Sequence, residues 1–186
     1  AKLLGKNQFA FYDEDTANRV AETATQRSSM KRTRIESDES GDYEVAKLGE
    51  KAFRILYKTT EMEKALPFVL KMWGQKLGVS RVSLFEVSGN GSICSNTFEW
   101  CNEGISSQKE NFQRIPYEEM KGCRESLDSK GVFYCADTSV LPRELHQSLI
   151  PSDVRSMLQC ALYNNGKFAG MVGFHDCAGR MWMQNE

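Results

Sequence analysis

Between residues 43 and 73, apolar side chains recur at alternating intervals of three and four: Val45, Leu48, Ala52, Ile55, Thr59, Met62, Leu66, Val69 and Trp73. This is the 3.5-residue period of a heptad seam, with Thr59 its one off-type member. Lys47, Glu50, Lys51, Arg54, Lys58, Glu61 and Lys64 occupy the other faces. A helix with a bare apolar stripe is unstable in water until something covers the stripe. The spacing therefore predicts pairing through residues 43–73, with a second copy as a parallel dimer or with the domain's missing final helix. Val45, Leu48, Ala52, Ile55 and Met62 form the expected dimer seam. Two features interrupt it. Thr60 and Glu63 have the T-x-x-E spacing of a capping box, and Pro67 has no N–H to donate inside a helix. Two helices are expected, 43–58 and 61–78, joined or kinked between Thr59 and Pro67. The first, within a connecting segment 43–60, projects from the domain, the second belongs to it, and Gly78 closes the second.

The segment before the seam is different in kind. Residues 14–42 are polar and charged, with Lys31, Arg32 and Arg34 followed by Glu36, Asp38 and Glu39. So few apolar groups cannot offset the entropy of ordering the chain, so 14–42 reads as a linker. Residues 1–13, AKLLGKNQFAFYD, read as a helix end, a stop at Gly5 and a short strand. A start without Met reads as a cut from a longer protein.

After the seam the period changes to that of strands. RVSLFEV (81–87), a Ser88 to Gly91 turn and SICSNTFEWC (92–101) make a hairpin. A helical stretch is expected around 117–127, with Pro116 as its starter, then a strand at 132–137 and a short helix at 141–149. A second hairpin joins 156–163 to 168–176 through Asn164-Asn165-Gly166-Lys167. Its strands alternate poorly, which implies cover on both faces. The order predicts an α+β domain: a central antiparallel sheet with helices on both faces, preceded by the heptad-patterned helix.

Composition narrows the function. With 24 basic and 25 acidic residues the net charge is −1, which favours neither nucleic acid nor anionic lipid. Mean hydropathy is −0.50, and no apolar stretch approaches the roughly 20 residues of a membrane span. Lys2 and Lys6 bracket only three residues, so no signal peptide is expected. Cys94, Cys101, Cys123, Cys135, Cys160 and Cys177 form no C-x-x-C pair and read as reduced structural thiols of a cytoplasmic protein. No metal site, nucleophile motif or phosphate-cradling glycine loop is present. In His175-Asp176-Cys177, neighbours on a strand point to opposite faces, so His175 and Asp176 do not meet. Gly170 and Gly173 read as points of close backbone approach.

Residues 61–182 resemble a GAF domain. The likeness rests on ALPFVLKMWGQKLGVSRVSLFEV (65–87), NTFEWCNEGI (96–105), VFYCADTSVLP (132–142) and ALYNNGKFAGMVGFHDCAGRMW (161–182). The last is the most specific, with G-x-x-G-F, an Asp-Cys pair and an Arg-x-Trp close. The GAF unit is taken as 61–186, its final helix truncated. Residues 1–13 resemble the closing helix and strand of a GGDEF domain, the bacterial diguanylate cyclase module. The catalytic signature is absent, and Ser40-Gly41-Asp42-Tyr43-Glu44 is refused as a match, so this chain is not expected to make cyclic di-GMP. The resemblance implies a parent protein that makes or degrades it. It implies a cytoplasmic sensory module that dimerises and binds a small effector in the cleft over the sheet. Phe98, Trp100, Phe112, Tyr117, Phe133, Leu141, Leu145 and His175 are the candidate lining. The alternative is a ligandless structural spacer. Arg114 or Arg124 is available to an anion. Haem, for which His146 or His175 is the available ligand, and tetrapyrrole, for which a Cys-His dipeptide is missing, are not expected. The signature of the cyclic-nucleotide-binding subgroup is also missing.

Overall fold

A computed structural model describes residues 39–88, 91–149 and 152–182. The cyclase-like segment 1–13 and the linker up to residue 38 lie outside the described residues. Helix α1 spans Glu39–Lys58, so the last four residues placed in the linker are helical. Helix α2 spans Met62–Leu77. The break falls at residues 59–61, and Pro67 lies inside α2 without ending it. Both Pro67 and Glu63, whose carbonyl loses its helical donor there, are exposed to water. The capping box does not form. Glu61 is the N-cap and has no side-chain cap bond. Instead Thr59 Oγ1 accepts the Glu61 N–H at 3.0 Å, turning the chain before α2 starts. Gly78 ends α2 in the left-handed conformation, φ 65 and ψ 32, as expected of a glycine stop.

Six strands form one antiparallel sheet: β1 Arg81–Ser88, β2 Ile93–Cys101, β3 Ile115–Pro116, β4 Val132–Cys135, β5 Ser156–Asn164 and β6 Lys167–Asp176. Their order is β3-β2-β1-β6-β5-β4. Both hairpins read from the sequence are present. Asn165 and Gly166 take φ 51 and 74, the mirror-image turn that matches strand twist. The stretch 117–127 is not one helix. It is a single 3-10 turn, Tyr117–Met120, followed by a short helix α3, Lys121–Glu125. Pro116 starts no helix. It sits in the two-residue edge strand β3, opposite Ile93, where a missing N–H is tolerated. β4 stops at Cys135, two residues short of expectation, because Asp137 turns the chain by accepting the Ser139 N–H at 2.9 Å. Helix α4 is Arg143–Leu149.

The two faces of the sheet differ. On one, Val82 and Leu84 of β1, Leu158 of β5 and Val172 and Phe174 of β6 pack under Leu70 of α2, with Trp73, Phe98 and Trp100 against them. Gly74 makes the approach of α2 possible, since a Cβ there would lie 1.9 Å from the Trp100 ring. Arg180 donates to the Leu77 carbonyl at 2.7 Å and stacks 4.7 Å from the Trp182 ring centroid. The Arg-x-Trp close thus ties the chain back to the end of α2. The other face carries two smaller clusters, one around Phe133 and Met157, the other around Phe85 and Met171. Between and above them lies a cavity.

A polar cavity over the sheet

The floor of the cavity is set by strand alternation. Arg81, Ser83 and Phe85 alternate along β1 with Val82 and Leu84. Ser83 stands opposite Gly173 of β6, and Gly173 opposite Gln159 of β5. Arg81 stands opposite His175. On β2 a bulge controls which side chains join them. Leu84 pairs with Phe98 but Phe85 pairs with Asn96, so Thr97 is the extra residue. Glu99 therefore shares the face of Ser83, while Asn96 and Cys94 share that of Phe85. Residues of the 102–131 loop from Gln108 to Cys123, together with Leu149, Ser152 and Val154, roof the space. The cavity measures about 220 Å³, and its wall includes Gln108, Asn111, Phe112, Cys123 and Val154 besides the floor.

One buried ion pair anchors it. Arg81 Nε lies 3.6 Å from Glu99 Oε1, and both side chains are 3% exposed. Arg81 also donates to the Ser106 carbonyl at 2.7 Å and the Ser152 carbonyl at 3.3 Å. It thereby stitches both roof segments to the floor. Glu99 Oε2 accepts from Ser107 Oγ at 2.5 Å and the Gln108 N–H at 2.9 Å, and Oε1 accepts from Asn96 Nδ2 at 3.0 Å. Burial alone would raise the carboxyl's pKa. The bonds from Ser107 and Gln108, with the Arg81 charge, outweigh it and hold Glu99 below the usual carboxylate range.

His175 is different. Its ring lies over Gly173, where a Cβ would come 2.7 Å from Nε2. Burial, with the Arg81 charge adding and Glu99 opposing, pushes its pKa down to about 4, so the imidazole is neutral at pH 7. Its Nδ1 is buried without a hydrogen-bond partner, and so is Oε1 of Gln159. Among the described residues, neither side chain makes a hydrogen bond, although Gln159 is 4% and His175 7% exposed. Arg81 Nε, with Glu99 Oε1 3.6 Å away, is a third buried atom on this wall without a hydrogen-bond partner. Buried polar groups are ordinarily satisfied, so three unpartnered atoms on one cavity wall call for an explanation. The six thiols are all free. Burial raises those of Cys94, Cys123 and Cys135 to about 11, which keeps them protonated.

Of the eight residues expected to line a pocket, Phe112 and His175 do so. Phe98 and Trp100 lie on the opposite face, against α2. Phe133, Leu141 and Leu145 pack into the cluster under α4. Tyr117 sits at the sheet edge, donating nothing to the cavity; its hydroxyl accepts from Arg124 at 2.8 Å, and its ring faces Phe168. Neither Arg114 nor Arg124 reaches the cavity wall. The sequence reading missed Arg81, Glu99, Gln108 and Gln159. A signal exists for two of them: Glu99 sits between Phe98 and Trp100, and Gln159 between Leu158 and Cys160, inside strands where a solvated polar residue has no place; Arg81, preceded by Ser80, carries no such signal.

Comparisons with known proteins follow this geometry. No family model matches the chain. It is 25% identical over 132 residues to the methanogenesis regulatory histidine kinase FilI of Methanothrix harundinacea, a match covering 68% of this chain and 15% of that protein. Its fold is shared with the phycocyanobilin-bound GAF domain of a cyanobacterial phytochrome, at TM-score 0.64 and 15% identity over 76% of this chain and 84% of that one. The GAF domain of a phosphoenolpyruvate-protein phosphotransferase from Coxiella burnetii gives 0.61 at 15% identity, over 77% and 84%. The chain has the GAF fold, as its sequence resemblance implied.

Proposed function

We propose that this chain is a sensory domain of a larger cytoplasmic signalling protein, in which a small molecule in the cavity controls the pairing of helix α1. The observation that carries this reading is the pair of unpartnered buried groups, Gln159 and His175, on the cavity wall. A cavity whose polar groups wait for partners suits a ligand better than a spacer does. The route to the helices is short, because only Gly78, Val79 and Ser80 separate α2 from Arg81 on the cavity floor.

A second copy is the proposed partner of α1, through the face roughly opposite the expected seam. Ala52 of that seam is buried within the chain, whereas Phe53 and Tyr57 are 68% and 79% exposed and stack at 5.7 Å. Met62 and Phe68 of α2 are also exposed. No helix among the described residues is long and apolar enough to cross a membrane. The output follows from the rest of the parent protein. Residues 1–13 favour cyclic di-GMP turnover, while FilI is a histidine kinase. On either reading, this domain sets the activity of an enzymatic domain elsewhere in the parent protein.

The bilin held by the phytochrome neighbour does not transfer. The cavity, about 220 Å³, lies below the roughly 300–1,000 Å³ of pockets for drug-sized ligands, and a linear tetrapyrrole is larger still. The cavity thiol, Cys123, is protonated and a poor nucleophile for attachment.

A thermal-shift screen of the purified chain against nucleotides, cyclic dinucleotides, amino acids and neutral heterocycles tests the reading. A saturable rise in Tm is expected for at least one class, about 2.7 kcal/mol at a hundredfold excess over Kd. No saturable shift with any class would leave a structural spacer.

A further inference from the structure

Among the described residues, permanent positive charge on the wall comes from Arg81 alone; its charge is already paired with Glu99, and two of its N–H groups are taken by the Ser106 and Ser152 carbonyls. Glu99 and Glu119 are both on the wall. An anionic ligand would enter beside carboxylates with no uncommitted cation to meet it, and an unpaired buried charge is strongly disfavoured.

What the wall does offer is neutral. The Gln159 amide presents a carbonyl acceptor beside an N–H donor. The neutral His175 imidazole, in the row beside it, adds one donor and one acceptor. Apolar cover comes from Phe85 and Phe112, whose rings meet edge to face at 5.9 Å and 78°, with Ile115 and Val154 on the same wall. The space exceeds the roughly 150 Å³ that holds one benzene, which leaves room for one ring and a small substituent.

We infer that the cavity takes an uncharged, planar, single-ring compound carrying a carboxamide or lactam edge, with that edge paired to Gln159 and its ring against Phe85 and Phe112. This rests on the sensory reading above and narrows it to one ligand class. Phosphorylated and carboxylated metabolites are excluded by the same wall.

Isothermal titration of the chain with nicotinamide, 2-pyridone and nicotinate tests it, since nicotinate matches nicotinamide in shape and differs in charge. Nicotinamide or 2-pyridone is expected to bind at least about tenfold more tightly than nicotinate, a polar site rejecting an ill-matched isostere. Gln159→Leu should weaken that binding at least about tenfold. It should not lower the Tm of the unliganded chain, because the amide it removes has no partner. If Gln159→Leu fails to fold, the amide has a structural partner and the inference is overturned. Gln159→Glu supplies an independent check, as a carboxylate in place of the amide removes its N–H donor and buries a charge, and should also abolish binding. Equal or tighter binding of nicotinate, or binding indifferent to both variants, would overturn the inference. If a charged compound from the wider screen binds while nicotinamide and 2-pyridone do not, this inference falls and the sensory reading stands. If nothing in either set binds, both fall.

Discussion

The two faces of one sheet solve opposite problems. Under α2, Leu70, Val82, Leu84, Val172 and Phe174 close an apolar core with Gly74 letting the Trp100 ring in. On the far face, Arg81, Ser83, Glu99, Gln159 and His175 put buried polar groups around a hollow. Both faces come from the same strands, one residue apart. The apolar face is held by area removed from water, which tolerates modest change. The polar face is held by pairing, which fails sharply when one partner goes. Function is therefore expected where the bonding is incomplete, on the cavity side.

The largest effect should come from the ion pair. Arg81→Met leaves Glu99 buried without its cation and is expected to destabilise the chain by about 3–5 kcal/mol in urea unfolding. Arg81→Met combined with Glu99→Leu should recover a large part of that. A loss within the range of a surface substitution would mean that the pair is solvated.

Acid should separate the faces next. His175 is depressed to about 4 from an ordinary 6.5. Between those values the unfolded chain binds a proton that the folded chain does not. Stability is therefore full above about pH 6.5 and declines as pH falls towards 4, by about 3 kcal/mol. Glu99, also depressed, adds its own loss only below the ordinary carboxylate range near 4.5. His175→Phe should flatten the profile between pH 6.5 and 5. A wild-type profile that is flat there would contradict a buried neutral imidazole.

Much of the apolar face was legible in the sequence, and little of the polar one. The turn at Asn165-Gly166, the stop at Gly78 and both hairpins follow from local chemistry that needs no tertiary context. The site residues did not, and the bulge at Thr97 shows why. Cys94, Asn96, Phe98 and Trp100 are all even-numbered and read as one face of a strand. One extra residue puts the first two on the cavity-side face and the last two on the core face under α2. Glu99 and Gln159 are set apart by apolar neighbours on both sides, whereas Arg81 follows Ser80 and has no such local mark. The break at residues 59–61 was visible, but its mechanism was not. Thr60 and Glu63 fit a capping box by spacing, whereas Thr59 makes the bond.

Gly74→Ala sharpens the comparison from the apolar side. Its methyl would overlap the Trp100 ring, and a cost of about 1–3 kcal/mol is expected. Trp100→Leu in the same chain should relieve part of that strain, seen as non-additivity in a double-mutant cycle. The smallest effect on folding belongs to α1. Phe53→Asp with Tyr57→Asp should change monomer stability by no more than about 0.5 kcal/mol, as both rings are exposed. Light scattering should nevertheless show the dimer lost. An unchanged mass for the variant would place pairing elsewhere or exclude it.

The difference between the faces is tested most directly by following the His175 imidazole in a nitrogen-15 NMR titration of the folded chain. The ring should remain neutral through pH 5 and protonate only near 4. Protonation near 6.5 would mean that water solvates His175, and that the sheet has no enclosed polar cavity for a ligand to complete.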